Sequence, residues 1–133
     1  MKFILDTNIC IYLIKKKPIQ VFDKFKEFPL GSIGISSISL AELQYGIKKS
    51  NRPDKNQKAL LQFLLPLEIA DFNTSAAIEY GNIRADLEKK GTPIGPLDTL
   101  IAAHVKAMGL TLITNNEKEF TRIEGLKVEN WTK

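Results

Sequence analysis

Short apolar runs that alternate with longer helical patterns constrain the fold of this sequence more than any other feature. The runs at 2–5, 33–36, 67–70 and 111–114 have the length of strands. Apolar residues crowd them without the strict polar–apolar alternation of a half-exposed strand. Strands buried on both faces read in this way, and such burial is typical of a parallel sheet covered by helices. The pattern therefore predicts an α/β fold around a mostly parallel sheet.

The segments between these runs have helical spacing and helix-end signals. Thr7 or Asn8 is expected to cap a helix that ends near Lys16. Ser39–Glu42 has the S-x-x-E form of a capping box, which predicts a helix through about Lys49. The remaining expectations are helices from Pro18 to about Phe28, over 58–65, from Asn73 or Thr74 to just before Gly91, over 97–108 and for one turn within 115–120, with a last short strand at 126–130.

Length and composition favour one folded unit. The chain has 133 residues, is 44% hydrophobic and contains no low-complexity tract, so we interpret residues 1–133 as a single domain. No apolar run approaches the roughly 20 residues of a membrane span. The apolar N-terminal stretch precedes the charges of Lys15–Lys17, the reverse of a signal peptide. With a single cysteine, Cys10, these observations favour a cytoplasmic protein with no membrane segment.

The basic character of the chain favours polyanionic partners. Its net charge is +4 and its pI about 9.2. Lysines cluster at Lys15–Lys17, at Lys48 and Lys49 with Arg52, and at Lys89 and Lys90. Each cluster follows a helical pattern, where a cation also complements the helix dipole. The clusters are therefore helix caps, a phosphate-binding rim, or both.

Three acidic residues stand at junctions between elements. Asp6 directly follows the first strand, Glu42 opens the helix after the second, and Asp98 lies in the first turn of the helix after a Gly-Pro loop. Each also has a structural explanation: Asp6 as a helix cap, Glu42 in the capping box, and Asp98 beside the helix dipole. In parallel sheets, the carboxyl ends of the strands share one edge, and ligands bind there. We therefore expect the three carboxylates to lie at the same edge.

Carboxylates brought close together repel and raise one another's pKa unless a cation relieves them. Oxygen ligands select Mg²⁺, with Mn²⁺ possible, and such an ion activates water and neutralises charge on a phosphate. That chemistry fits phosphodiester hydrolysis. A phosphatase or phosphoacceptor domain is an alternative, although Thr7 and Asn8 supply no second acid beside Asp6. A non-catalytic interaction module is another. No P-loop or G-x-G-x-x-G motif indicates a nucleotide-binding enzyme.

Five segments, in this order, carry a resemblance to a known family: LDTNICIYLI at 5–14, SSISLAELQYGI at 36–47, IGPLDTLIAAHV at 94–105, LITNNEKEF at 112–120 and GLKVENW at 125–131. They span nearly the whole chain. With them the sequence resembles PIN-domain proteins, and specifically the VapC toxins of bacterial toxin–antitoxin pairs. In that resemblance Asp6, Glu42 and Asp98 fall on the family's three acidic positions.

The resemblance implies a PIN-like three-layer α/β/α sandwich and an Mg²⁺-dependent endoribonuclease that inhibits translation. Its branch with the TNN-x-x-EF ending implies cleavage of tRNA, with the anticodon region of initiator tRNA as the expected substrate. It also implies a VapB-type antitoxin that covers or distorts the site, and a homodimer.

One departure from the family pattern concerns a fourth acid after the fourth strand. Here the sequence reads Thr114-Asn115-Asn116, so that Asn116 brings no charge, and Glu119 is the alternative carboxylate. We expect Thr7 and Thr114 to hydrogen-bond the acids. His104 is expected to be packed or hydrogen-bonded rather than a base, Cys10 to be a small buried apolar residue, and Trp131 to pack the C-terminal tail.

Overall fold

The computed structural model describes all residues from Met1 to Lys133 as five strands and seven helices. The strands are β1 Phe3–Leu5, β2 Ile33–Ser36, β3 Glu68–Ala70, β4 Thr111–Ile113 and β5 Lys127–Glu129. The helices are α1 Thr7–Lys15, α2 Ile19–Lys26, α3 Ser37–Lys48, α4 Pro53–Leu64, α5 Thr74–Lys89, α6 Pro96–Met108 and α7 Glu117–Phe120. No helix is long and apolar enough to span a lipid bilayer.

The five strands form one sheet in the order β3-β2-β1-β4-β5, and every neighbouring pair is parallel. The predicted α/β fold with a parallel sheet is confirmed. The chain moves from β1 outward through β2 to β3, then crosses to β4 and β5 on the other side of β1. The strand order therefore reverses at β1 and β4, and ligands bind beyond the carboxyl ends of the strands at such a point.

Successive residues of β1 face opposite sides of the sheet, and this alternation builds the three layers. Phe3 and Leu5 pack in a core with side chains from α1 to α4, whereas Ile4 packs in a second core with side chains from α5 to α7. Helices therefore cover both faces, and the expected α/β/α sandwich is confirmed. Burying each large apolar side chain contributes roughly 1.5–3 kcal/mol before the entropy of ordering the chain is subtracted.

Two predictions about individual core residues are also confirmed. Cys10 is fully buried as a free thiol. Trp131 is 3% exposed and stacks on Phe28, with the two rings 5.4 Å apart, while Phe3 meets Trp131 edge-on at the same distance. This aromatic cluster fixes the C-terminal tail to the central strand.

The capping box predicted at Ser39–Glu42 is wrong. Helix α3 begins at Ser37, and Ser36 is its N-cap, because the Ser36 hydroxyl accepts a hydrogen bond of 3.1 Å from the N–H of Ile38. Ser36 can act as the cap because it ends a buried strand in extended conformation. Glu42 therefore lies inside the helix, and its carboxylate is not spent on a backbone N–H of the first turn.

The cap of α1 also differs from the prediction, since Asp6 caps this helix rather than Thr7 or Asn8. Helix α4 begins at Pro53, five residues before the apolar spacing shows it, because its first turns are exposed and polar. Proline at a helix start lacks only an N–H that would have no partner there.

Candidate active site at the carboxyl edge of the sheet

Asp6 lies at the point where the strand order reverses. It follows the central strand β1, and its backbone N–H donates to the carbonyl of Ile113 in β4 over 3.0 Å. One carboxylate oxygen, Oδ1, accepts a hydrogen bond of 2.9 Å from the N–H of Ile9 and so caps α1. The side chain is only 4% exposed. Asp6 is therefore fixed by the strand behind it and the helix after it.

The surroundings of Asp6 favour its neutral form. Burial raises the pKa of Asp6 from 3.8 to about 6, and the charges of Asp98 and Glu42 raise this pKa further. The Thr114 hydroxyl and the Ile9 N–H act in the opposite direction, because they hydrogen-bond the charged form. The expectation that Thr114 assists an acid is therefore confirmed. The mutual effect of the carboxylates also shows that Asp6, Asp98 and Glu42 are neighbours in space.

Glu42 extends from α3 toward the start of α1. Its Oε1 accepts a hydrogen bond of 2.6 Å from the Thr7 hydroxyl, and the same hydroxyl oxygen lies 3.2 Å from that of Ser39. The predicted contact of Thr7 with an acid is confirmed. Ser39 is a member of this network that the sequence assigned only to a capping box. Thr7 stands 35 residues from Glu42, so no local pattern could reveal their pairing.

Asp98 is in the first turn of α6, as the sequence predicted. Burial raises its pKa, and the charges of Glu119 and Glu42 raise it further. Of the two residues considered for the fourth position, Glu119 is thus the one whose charge acts on Asp98. Asn116 instead donates its backbone N–H to the Thr114 hydroxyl over 2.9 Å and precedes α7.

These four carboxylates have no cationic partner within the chain. The ion pairs of the structure involve other residues, and none includes Asp6, Glu42, Asp98 or Glu119. No three His, Cys, Asp or Glu side chains are grouped closely enough to hold one metal ion. The carboxylates therefore converge electrostatically, while their joint coordination of an ion stays a prediction.

His104 connects two of the elements that carry the acids. Its Nδ1 lies 2.8 Å from the Ser36 hydroxyl oxygen, and its ring packs edge-on against Phe72 with centroids 5.4 Å apart. His104 is 1% exposed, which confirms the expectation of a packed, hydrogen-bonded side chain. Because Ser36 caps α3 and His104 belongs to α6, this contact couples the helix of Glu42 to that of Asp98.

An apolar groove of about 320 Å³ adjoins the acids on one side. It lies between α1, α3 and α4, and Thr7 and Glu42 stand at its edge. Its other lining residues are Ile11, Ile14, Lys15, Leu43, Gly46, Ile47, Asn56, Ala59 and Leu60. A segment bound along this groove would also cover Glu42.

Comparison with known proteins places this fold and site in a class. Residues 3–126 match the family model for the PIN domain. The chain is 47% identical over 131 residues to the tRNA(fMet)-specific endonuclease VapC of Salmonella typhimurium, and the match covers 98% of both chains. It is 48% identical over 134 residues, 100% of each chain, to ribonuclease VapC2 of Rickettsia felis.

A solved structure gives the same result in three dimensions. The crystal structure of VapBC2 from Rickettsia felis, bound to a DNA fragment from its promoter, contains a chain that superimposes with a TM-score of 0.93. The match has 48% identity and covers 98% of this chain and 99% of the other. The chain therefore belongs to the PIN-domain family, and within it to the VapC ribonucleases. The resemblance carried by the five sequence segments is thereby confirmed.

Proposed function

We propose that this chain is an Mg²⁺-dependent endoribonuclease toxin whose active site consists of Asp6, Glu42 and Asp98, with Glu119 as the fourth carboxylate. The observation that carries the proposal is the convergence of these acids at the reversal of strand order, with no lysine or arginine paired to any of them. Such an arrangement is costly in an isolated fold, because each charge opposes the ionisation of the next. A divalent cation removes this conflict.

The chemistry of the donor set fits Mg²⁺, with Mn²⁺ as the alternative. All candidate ligands are carboxylate oxygens, which these hard cations prefer. Mg²⁺ is commonly held by one or two carboxylates and keeps several waters, so direct ligation by Asp6 and Asp98 suffices. Bound there, the cation would activate water and neutralise negative charge on a phosphodiester.

The protein's own groups prepare this site in defined ways. The Ile9 N–H and the Thr114 hydroxyl stabilise the charged form of Asp6, which burial alone would disfavour. The Thr7 hydroxyl holds Oε1 of Glu42. We propose that the other carboxylate oxygen of Glu42 orients the attacking water and accepts its proton. In-line attack by this water leaves a 5′-phosphate and a 3′-hydroxyl.

We propose tRNA as the substrate, with the anticodon region of initiator tRNA as the expected target and inhibition of translation as the result. A relative that shares 47% identity over almost its whole length is a tRNA(fMet)-specific endonuclease, which supports this assignment. Unpaired loop bases are the usual target of sequence-specific RNA recognition, and the anticodon loop offers them. This substrate places the protein in the cytoplasm.

We propose a VapB-type antitoxin as the protein partner. The solved relatives are VapBC assemblies, and the apolar groove beside Glu42 offers a surface where a bound segment would block the acids. We also propose a homodimer, which the exposed apolar side chains of Ile78 and Leu97 support. Residues 1–133 would form one domain, since both cores share the same sheet.

The test is incubation of the purified chain with a tRNA pool and Mg²⁺, followed by end mapping of the products. We expect cleavage that EDTA abolishes and that Asp98→Asn reduces by at least 100-fold. Asp54→Asn is the matched control, because Asp54 also lies in a first helical turn but is exposed and remote from the acids. Equal activity of Asp98→Asn and Asp54→Asn would refute the proposed site.

The same samples test the two other functions that the sequence left open. Hydrolysis of small phosphate monoesters, without cleavage of RNA, would indicate a phosphatase. A folded chain that cleaves no RNA, with or without Mg²⁺ or Mn²⁺, would indicate a non-catalytic module.

A further inference from the structure

We propose that a depression formed by Tyr12, Lys15, Lys17 and Asn115 is the subsite that binds single-stranded RNA next to the acids. In it, Tyr12 would stack on a base, and Lys15 and Lys17 would hold the flanking phosphates. The depression measures about 480 Å³ and is completed by Ile11, Pro18 and Thr132. This inference deepens the proposed nuclease function and rests on it.

The position of the depression relative to the acids supports this role. Tyr12 and Lys15 belong to α1, whose N-cap is Asp6, and stand roughly 9 and 14 Å along the helix axis from it at 1.5 Å per residue. Asn115 directly follows Thr114, which contacts Asp6. Lys15 also lines the groove that contains Glu42. An RNA strand cleaved at the acids would therefore reach this depression within a few nucleotides.

The Tyr12 ring is held in place from the opposite side of the depression. The Asn115 side-chain amide donates a hydrogen bond of 2.7 Å to the Tyr12 hydroxyl. This bond joins α1 to the loop after β4 across 103 residues of sequence. A fixed aromatic ring loses little conformational freedom when a base stacks on it, and such stacking tolerates every base.

The charge of the depression distinguishes it from the rest of the surface. Its lining contains two lysines and no carboxylate. Each of the four other large depressions contains at least one aspartate or glutamate. Lys15 and Lys17 are exposed and form no ion pair, so their charges are available to a polyanion.

The competing explanation is purely structural. Lys15 ends α1 and so complements its dipole, and the Tyr12–Asn115 bond ties a loop to a helix. Lys89 provides a matched control, because it is likewise the exposed last residue of a helix, α5, and lines none of the large depressions. A structural role alone predicts the same RNA affinity for variants of Lys15 and Lys89.

The experiment measures fluorescence anisotropy of a fluorescein-labelled single-stranded RNA of mixed sequence, in EDTA, over a range of salt concentrations. We expect Lys15→Gln/Lys17→Gln to weaken binding and to reduce the salt slope by about two, roughly one for each lost phosphate contact. Lys89→Gln should match the wild type. Tyr12→Ala should weaken binding about tenfold, within the range of base-stacking energies, whereas Tyr12→Phe should keep most of it. Thermal unfolding of each variant reports whether it folds.

An unchanged salt slope in the double lysine variant would overturn the inference, even if Tyr12→Ala fails to fold. Weakened binding of a VapB-type antitoxin with unchanged RNA binding would overturn it too and assign the surface to the protein partner. Binding in EDTA separates this inference from the proposed catalysis. A chain that binds RNA through these residues but never cleaves it would refute the nuclease alone, whereas normal cleavage with unaltered variants would refute the subsite alone.

Discussion

The Thr7 hydroxyl donates a 2.6 Å hydrogen bond to Oε1 of Glu42, so the first residue of α1 fixes a carboxylate that belongs to α3. This bond leaves Glu42 with one oxygen that has no partner in the chain. It also places Glu42 beside Asp6, the residue before Thr7, and thereby sets the separation of two candidate catalytic acids.

Replacing Thr7 by valine keeps the shape of the side chain and removes the hydroxyl. Because Glu42 then loses its only listed donor among the side chains, we expect RNA cleavage to fall by about 10- to 100-fold, the usual cost of removing a group that orients a metal-site carboxylate. Thr7→Ser should retain most of the activity. Single-turnover cleavage rates check this, and equal rates for the valine and serine variants would contradict it.

Asp6→Asn should abolish cleavage and yet stabilise the metal-free protein at neutral pH. Burial raises the pKa of Asp6 from 3.8 to about 6, so above pH 6 the folded chain carries a charge that it disfavours. Asparagine caps a helix as well as aspartate does and carries no charge. A shift of this size corresponds to roughly 2–3 kcal/mol at pH 7.5.

The sign of this effect depends on pH in a testable way. Below pH 3.8 Asp6 is neutral in both the folded and unfolded chains, so its contribution to stability is fully present. It is lost as the pH rises through about 6. Urea unfolding in EDTA should therefore show a gap between variant and wild type that opens from pH 4 to pH 7.5. A gap independent of pH would count against a buried, perturbed carboxyl.

Glu119→Gln should weaken Mg²⁺ binding more than Asn116→Ala does. The charge of Glu119 acts on Asp98, whereas Asn116 contributes a backbone N–H to Thr114. The measurement is the rise in melting temperature with added Mg²⁺, which reports binding to the folded state. Glu117→Gln is a useful control, because Glu117 belongs to the same short helix but pairs with Lys133. A larger effect of Asn116→Ala would assign the fourth position to Asn116.

His104→Gln should destabilise the fold at pH 8 by about 1–3 kcal/mol, since it disturbs the contact with Ser36 in a buried setting. Burial lowers the pKa of His104 below its ordinary 6.5. The unfolded wild type therefore takes up a proton near pH 6.5 before the folded one does, and stability falls as the pH drops below that value. The gap between wild type and variant should narrow from pH 8 to pH 5. Denaturant unfolding at both pH values measures it.

Much of the fold could be predicted from sequence because each strand is a short apolar run and most helices have clear ends. Asn73 caps α5 and Gly109 ends α6 in the left-handed conformation, as the sequence indicated. The start of α3 could not be predicted in the same way. Ser36 and Ser39 both satisfy the local rules for a cap, and only the extension of β2 through Ser36 decides between them.

The candidate site divides along the same line. Asp6, Glu42 and Asp98 could be identified because each sits at an element junction, and parallel strands bring such junctions to one edge. Their connections could not, since the Thr7–Glu42, Ser36–His104 and Tyr12–Asn115 contacts join residues far apart in the chain. Hydrogen bonds of this kind depend on the register of the sheet and the packing of its helices.

The strand order β3-β2-β1-β4-β5 also has a consequence for the cell that makes this protein. The first strand to leave the ribosome occupies the middle of the sheet, and its neighbour β4 is synthesised last but one. Asp98 and Glu119 likewise come from the final third of the chain. A toxin aimed at the translation machinery is thus inert throughout its own synthesis, and a newly made antitoxin can be waiting when the last residues emerge.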